Sequence, residues 1–419
     1  MGSNTHELPA ANSPDLVLTE STEGELLHVW GLHFPMWGGP LKRDEYLKRE
    51  EFLMTVPLAK NGGVTHWILT DKHGVPDQRP IYASCETLRK RALCSQLGAD
   101  GEVIVHEGTA HNIGSVFTNP SYRGKGYASR MMSDLGEVLK EWSVGRKKKP
   151  TKEEEAADKA ANKIVTRSLF STLYSDIGKS FYATHGWAPF ESSHFYFKPA
   201  ASPANGERNG DDVSSLPPKV KKLGYHDLAK LCYDDENVLR KAIEQRAQLL
   251  PSTNGKKKVC AALMPDLDQF LWHMMREDFI TKHIFGKTPE VRGALCGEGG
   301  QRVWAVWVRG YYGNVENIKD NTFYILRFVV ENEETASEEY VAEAFASIME
   351  LAQEEAREWR SFDIQMWNPS PLLKKAAAKS GLEHTMVERE TSSIPSLMWY
   401  GEEETAAVDW VLNEKYAWG

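Results

Sequence analysis

The chain is short of cysteine, of long apolar runs and of surplus positive charge, and each shortage closes a class of function. Its five cysteines, Cys85, Cys94, Cys232, Cys260 and Cys296, are scattered and odd in number, with no CxxC pair and no zinc-ligand spacing. Such a set is expected to be reduced thiols of an intracellular protein, and it calls for no metal. No apolar stretch approaches the ~20 residues that cross a bilayer, so no membrane partner is expected. The start, MGSNTHELPA, lacks the basic and apolar regions of a signal peptide. His6 stands where N-myristoylation wants Ser or Thr, and KYAWG is no retention or peroxisomal signal. The cytoplasm is the expected compartment. Fifty Lys and Arg face 59 Asp and Glu, for a net charge of −9. Phosphate backbones want basic surface, so nucleic acid is not the expected partner. A cationic substrate suits that sign better.

At 419 residues the chain exceeds one typical core, and two domains are expected. Residues 1–14 read as a flexible leader. A first domain covers 15–200, and "ASPANGERNGDDVSSLPPK" (201–219) is a linker rich in Ser, Pro, Gly, Asn and Asp. A second domain covers 220–419. Inside the first, the charge-dense "GRKKKPTKEEEAADKAANK" (145–163) reads as a solvated insertion. "DLVLTE", "VTHWILTD", "PIYASCETL", "HNIGSVFT" and "SLFSTLYS" read as strands, and "IGKSFYATHGW" as a short helix. Between the last two strands, Ala128, Met131, Met132, Leu135 and Leu139 fall at the three- and four-residue steps of an amphipathic helix. The second half repeats this order. "NTFYILRFVV" is a strand, 337–359 a long helix, "FDIQMW" a strand and "PLLKKAAAKSG" a helix. The fold class is therefore α/β (α+β), with two similar halves.

Only the first half carries a glycine loop. "NPSYRGKGYASRMM" (119–132) joins the strand to the helix, with Gly124 and Gly126 just before the helical run. Free backbone N–H groups and the positive helix end converge there, which makes an anion site whose commonest guest is phosphate. Glycines let the backbone come close to it. The loop is not G-x-x-x-x-G-K-[ST], because no glycine precedes Gly124 by five residues. Nor is it G-x-G-x-x-G, because Ser129 takes the third glycine's place.

Arg123-Gly124-Lys125-Gly126-Tyr127-Ala128 resembles the acetyl-CoA loop of the GNAT N-acetyltransferase superfamily, with Pro120 before it. The resemblance implies that the loop backbone holds the CoA pyrophosphate, and that Val116, Phe117 and Thr118 pair with the pantetheine arm. "SDIGKSFYATHGW" is similar to the superfamily's second motif, N-x-x-A-x-x-L-Y-x-x-x-G-F. Tyr182 then matches the tyrosine that protonates the departing thiolate, and Ser175 replaces the usual asparagine at a pantetheine contact. With "FPMWGGPLKRDEYLKREEFL" and the degenerate second half, the chain resembles the fungal lysine N-ε-acetyltransferases of lysine breakdown. Tandem GNAT-like domains are thereby implied, with acetyl-CoA as co-substrate and L-lysine as acceptor. A protein lysine, a polyamine or another amine metabolite is the alternative acceptor. A non-catalytic acetyl-CoA-binding protein is the alternative from another class.

A lysine-like amine has a pKa near 10.4, so freeing it at neutral pH costs about 4–5 kcal/mol and calls for a base. Where several family members carry a glutamate, this chain has Ala110 and His111. His111 titrates in the right range and is the first candidate. Glu107, Asp176, water and the C-terminal carboxylate of Gly419, threaded into the site, are the others. The second half has "ENEETASEEY" in place of a glycine loop and is not expected to bind CoA, although Asn368 falls where a second motif would begin. It is expected to wall the acceptor site opposite Phe34–Trp37. A free amino acid also brings a carboxylate for an arginine to grip; Arg327 is one candidate. The sequence leaves the oligomeric state open.

Overall fold

Two mixed sheets organise the molecule; the first takes three strands from the second half of the chain, and the second takes one from the first half. The structure is a computed structural model and describes residues 8–98, 100–141, 168–201, 220–249 and 258–419. The charged insertion 145–163 and the linker beyond Ala201 lie outside the described residues.

The first half runs β1 (Leu16–Glu20), α1 (Glu23–Trp37), α2 (Arg43–Leu53), β2 (Val64–Asp71), β3 (Ile81–Leu97), β4 (Val103–Thr118), α3 (Tyr127–Glu141), β5 (Ser168–Ser175), α4 (Ser180–Ala183), β6 (Ala188–Pro189) and β7 (Ser193–Phe197). The second runs β8 (Lys221–Leu223), α5 (Tyr225–Leu249), β9 (Val259–Leu263), α6 (Leu267–Phe285), β10 (Gly293–Cys296), β11 (Val303–Tyr311), β12 (Asn321–Val330), α7 (Glu338–Glu358), β13 (Asp363–Trp367), α8 (Pro371–Lys379), β14 (Thr385–Glu388), β15 (Ile394–Trp399) and β16 (Val408–Trp410).

One sheet is ordered β1-β2-β3-β4-β5-β15-β6, with β9 on β3 and β16 on β9; the other is ordered β14-β7-β13-β12-β11-β10-β8. The strands thus cross the boundary expected at 201–219: β7 belongs to the second sheet, and β9, β15 and β16 to the first, β15 between β5 and β6. The cause is an edge. β6 has two residues, too few to cover β5, whereas β15 pairs with β5 along Ile394–Trp399. An uncovered strand edge leaves its amides and carbonyls unpaired.

The helices begin and end on local signals. Thr22 caps α1 by accepting from the Glu25 amide at 3.1 Å, while Glu25 accepts from the Thr22 amide at 2.9 Å. Asp266 caps α6, which stops at Gly286 with φ +70°. In α3 the apolar stripe read from the sequence is buried, and Met131, Met132, Leu135 and Leu139 pack with Leu173 and Trp187. Among the described residues no helix is long and apolar enough to cross a membrane.

Two features of β4 open the first sheet. Its parallel pairing with β5 runs from Thr109 to Ile113 and stops there, although β4 continues to Thr118 and β5 to Ser175. Opposite, the register with β3 shifts between Ser84↔Phe117 and Glu86↔Gly114, and Ser115 sits at φ +51°. A bulge bends its strand, so β4 departs from β5 at Gly114 and leaves a notch between them.

Candidate active site

The mouth of the notch is lined by free amides. Asn119 accepts from the Ser121 amide at 3.1 Å and starts a single turn over Pro120–Tyr122. The chain then passes Gly124 (φ +76°) and Gly126 (φ +84°) into α3. Among the described residues, the amides from Gly124 to Ser129 have no backbone acceptor. A Cβ on Gly124 would meet nothing within 4 Å, so the loop faces open space. Arg123 folds back, its Nε donating to the Thr118 carbonyl at 3.3 Å. These groups fit a pyrophosphate. Of the leader, residues 8–14 are held against α3: Tyr127 donates to the Pro9 carbonyl at 2.6 Å, and Arg130 to those of Ala11 and Ser13.

Tyr182 belongs to the core under α3, the helix this loop feeds, and is 8% exposed. Burial first, then Cys85 and Asp176, push its hydroxyl pKa well above the usual tyrosine range. It is therefore a proton carrier at neutral pH. His185 ties α4 to α3 through Ser129 Oγ at 2.9 Å and Ser133 Oγ at 3.0 Å. Ser175 is turned inward: its hydroxyl donates to the Gly178 carbonyl at 2.6 Å and accepts from the Ile177 amide. That hydroxyl shapes its own turn. Phe117 packs under α1, 4.9 Å from His33 and 6.0 Å from Trp37 between ring centres. Phe34 instead meets Tyr46, at 5.7 Å.

The candidate bases are placed very differently. His111 is 2% exposed, its Nδ1 lies 3.0 Å from Ser168 Oγ, and burial with the charge of Arg89 pushes its pKa down to about 3. Glu107 belongs to an outer ion network, with Arg91 at 2.8 Å and Arg240 at 2.6 Å. Asp176 accepts from the Ser393 amide at 2.9 Å at the surface. Gly419, by contrast, lies at the notch against Asn112, Leu88 and Gly114.

The last residues reach the notch through a series of anchors. Glu414 accepts from Arg327 at 2.5 Å and from the Phe328 amide at 3.3 Å. Lys415 Nζ stands 4.3 Å from the ring centres of Tyr324 and Trp367 and 3.8 Å from that of Trp418. Tyr416 donates to the Leu263 carbonyl at 2.7 Å, and its own carbonyl lies 3.0 Å from His273 Nε2. Lys90 then donates to the carbonyls of Ala417, at 2.8 Å, and Trp418, at 3.3 Å. The first of these contacts occupy the second half's own notch. β12 pairs with β13 only over Thr322–Ile325, and the tail packs against Tyr324, Arg327, Phe328 and Trp367 beyond it. Arg327 is fully engaged there, with Asp235 at 2.8 Å as well as Glu414. Asn368 bonds the Ser193 amide at 2.8 Å and the Asn413 carbonyl, a structural post.

One carboxylate was missed by the sequence reading. Glu86 accepts from Ser115 Oγ at 2.7 Å, lies 3.6 Å from His66 Nδ1 and comes within 3.3 Å of a Cβ built on Gly114. Burial pushes its pKa up, against that hydrogen bond and the charges of Arg276 and Arg49. Glu86, Glu50, His66, His33, Trp30 and Ser115 line a narrow cavity beside the bulge. These groups come from α1, α2, β2, β3 and β4 and meet only in the folded chain, so no local motif announces them. Among the described residues no cluster of three His, Cys, Asp or Glu side chains is arranged to hold a metal ion.

A splayed strand pair, a glycine loop of free amides and a buried tyrosine define the class, a GNAT-type N-acetyltransferase. The family described as LYC1 GNAT-like C-terminal domain matches residues 200–419, and the chain belongs to it. A "Lysine acetyltransferase" of Yarrowia lipolytica is 28% identical over 293 residues, 66% of this chain and 67% of the relative. "Uncharacterized protein YGR111W" of Saccharomyces cerevisiae is 24% identical over 297 residues, 65% of this chain and 66% of the relative. The chain thus spans about two thirds of the length of each. Among solved structures, a "Probable N-Acyltransferase" of Enterococcus faecalis V583 aligns at 14% identity and a TM-score of 0.49, covering 92% of this chain and 72% of that one.

Proposed function

We propose that this protein transfers the acetyl group of acetyl-CoA to the ε-amine of free L-lysine or a close analogue by direct attack. The observation that carries the reading is the meeting of Gly419 and Glu86 at Gly114, where β4 leaves β5. Two carboxylates then face the head of a notch whose mouth is a phosphate-shaped loop. The amides of Gly124–Ser129 would hold the pyrophosphate, and Val116, Phe117 and Thr118 would run beside the pantetheine arm. When bound, acetyl-CoA supplies an activated acyl carbon with a thiolate leaving group.

The protein's own groups manage the protons. The acceptor arrives as an ammonium and gives up a proton to the Gly419 carboxylate, with Glu86 hydrogen-bonded to Ser115 beside it. The nitrogen bonds to the acyl carbon as the C–S bond breaks, Tyr182 gives its proton to the sulfur, and the second proton shed by the nitrogen passes through water to restore the tyrosine. His111 fits this scheme less well, because its ring is neutral, enclosed and bonded to Ser168. The buried free cysteines suit a reducing compartment, and we place the protein in the cytoplasm.

The test is CoA release with products identified by mass spectrometry, offering L-lysine, polyamines and a basic peptide. N-ε-acetyllysine is the expected product. Turnover with another amine alone would keep the loop chemistry and discard lysine. Tight acetyl-CoA binding without turnover would support a binding protein.

A further inference from the structure

Arg276 lies near the middle of α6, on a face that looks toward both the tail and α2. His273, one turn before it, lies 3.0 Å from the Tyr416 carbonyl. Phe279, one turn after it, stacks on Phe52 of α2 with 5.6 Å between ring centres. Residues three apart on a helix share a face, so Arg276 stands between these two contacts. Its guanidinium lies 5.6 Å over the Tyr312 ring.

The guanidinium is partly buried, and among the described residues it makes no ion pair with a carboxylate. Of the enclosed arginines, Arg49, Arg292, Arg309 and Arg327 each hold one at 2.8 Å or less, whereas Arg389 lies over the Trp367 ring and donates to the Ser193 carbonyl. Its charge is nonetheless felt by Glu50 and Glu86, which line the cavity beside the bulge. The region therefore offers carboxylates toward Gly114 and a positive charge without an anion of its own toward α6. A ligand carrying an amine at one end and a carboxylate at the other matches that polarity.

Resting on the acetyltransferase reading, we propose that Arg276 is a specificity residue that grips the α-carboxylate of a free amino acid, while the side-chain amine reaches Glu86 and Gly419. A guanidinium binds a carboxylate through two parallel N–H···O bonds, which fixes orientation as well as charge. A lysine inside a peptide has no free α-carboxylate, and neither does a polyamine, so this contact selects the free amino acid.

The experiment compares L-lysine with cadaverine, the same diamine without the carboxylate, in wild type, Arg276→Gln and Arg276→Lys. Wild type should favour lysine in kcat/KM by roughly 10- to 100-fold, the usual weight of a charge-assisted contact. Arg276→Gln should collapse that preference toward unity, mainly through the KM for lysine. Arg276→Lys should keep part of it, because an ammonium retains the charge and loses the fork. Equal losses for both amines, or a wild type with no preference, would overturn the proposal. Calorimetric binding of both amines separates it from the underlying reading. Lysine-selective binding that the substitution abolishes, in an enzyme that acetylates neither amine, supports the carboxylate site and sinks acetyl transfer. Lysine binding indifferent to the substitution sinks the site.

Discussion

Gly419 lies against Gly114: a Cβ placed on Gly114 would come within 3.6 Å of the Gly419 carbonyl oxygen. Gly114 is the first residue of β4 beyond its pairing with β5, so the tail meets the notch at the point where it opens. The approach depends on anchors supplied by both halves, from Arg327 and His273 to Lys90.

Removing Ala417–Gly419 is therefore expected to lower kcat by about 10²- to 10⁴-fold, the weight of a positioned base, with acetyl-CoA affinity changed by less than about threefold. The fold should survive, because Glu414, Lys415 and Tyr416 still fill the second notch. Steady-state kinetics and binding calorimetry read the two quantities separately. An unchanged kcat would take the tail out of the chemistry and leave the role to Glu86.

Tyr182 offers a cleaner separation of binding from turnover. Its hydroxyl is held protonated by burial, while a thiol of pKa about 8.5 leaves as a weaker base than a tyrosinate. Tyr182→Phe keeps the ring within the α3 core and removes one oxygen. Turnover should fall roughly 10²-fold with acetyl-CoA still bound. A variant that binds poorly but turns over normally would reassign Tyr182 to packing.

The loop and the tyrosine were legible because each is a local pattern, a strand end, two glycines and a helix face within a few turns. The strands over 168–175 and 321–330 likewise appear where their apolar runs end. β3 reaches further than its sequence suggests. Arg89-Lys90-Arg91 reads as polar, yet Lys90 is 1% exposed because the tail carbonyls receive its amine, whose pKa burial pushes down to about 7. The same blindness hid Glu86 and Arg276, whose meaning lies in contacts with distant segments. It hid the strand exchange too, since no local signal records that β6 is too short to cover β5.

Gly126 tests the loop. At φ +84° a side chain is strained, and a Cβ there would press to 3.3 Å from Ala11. Gly126→Ala should cost about 1 kcal/mol or more of stability, read by urea unfolding, and should raise the KM for acetyl-CoA. Gly124→Ala faces no such contact but shares the backbone strain at φ +76°, so it should lose somewhat less stability than Gly126→Ala while also raising KM. Equal KM values for both variants and wild type would move the pyrophosphate elsewhere.

Arg327 was a candidate for the acceptor carboxylate, but Asp235 and Glu414 already hold its guanidinium. Arg327→Met should then act on the fold, leaving the buried Asp235 without its guanidinium and Glu414 with only the Phe328 amide, at a cost of about 3–5 kcal/mol. Urea unfolding measures it. A stable variant with a raised KM for lysine alone would restore the arginine to the binding site.

His111 and His33 make acid stability informative. Burial is the first cause that lowers both, each to about 3, against an unfolded value near 6.5. Between those limits the unfolded chain binds protons that the folded protein refuses. Stability from these groups is fully present above about pH 6.5 and is lost as pH falls toward 3, at up to about 1.4 kcal/mol per pH unit for each histidine. His111→Gln should flatten that slope relative to wild type by one histidine's share, whatever it does to stability at neutral pH. Denaturation curves collected from pH 7 to 4 provide the comparison. A slope identical to that of wild type would mean that His111 takes up its proton in the folded protein, and would return it to the candidate bases.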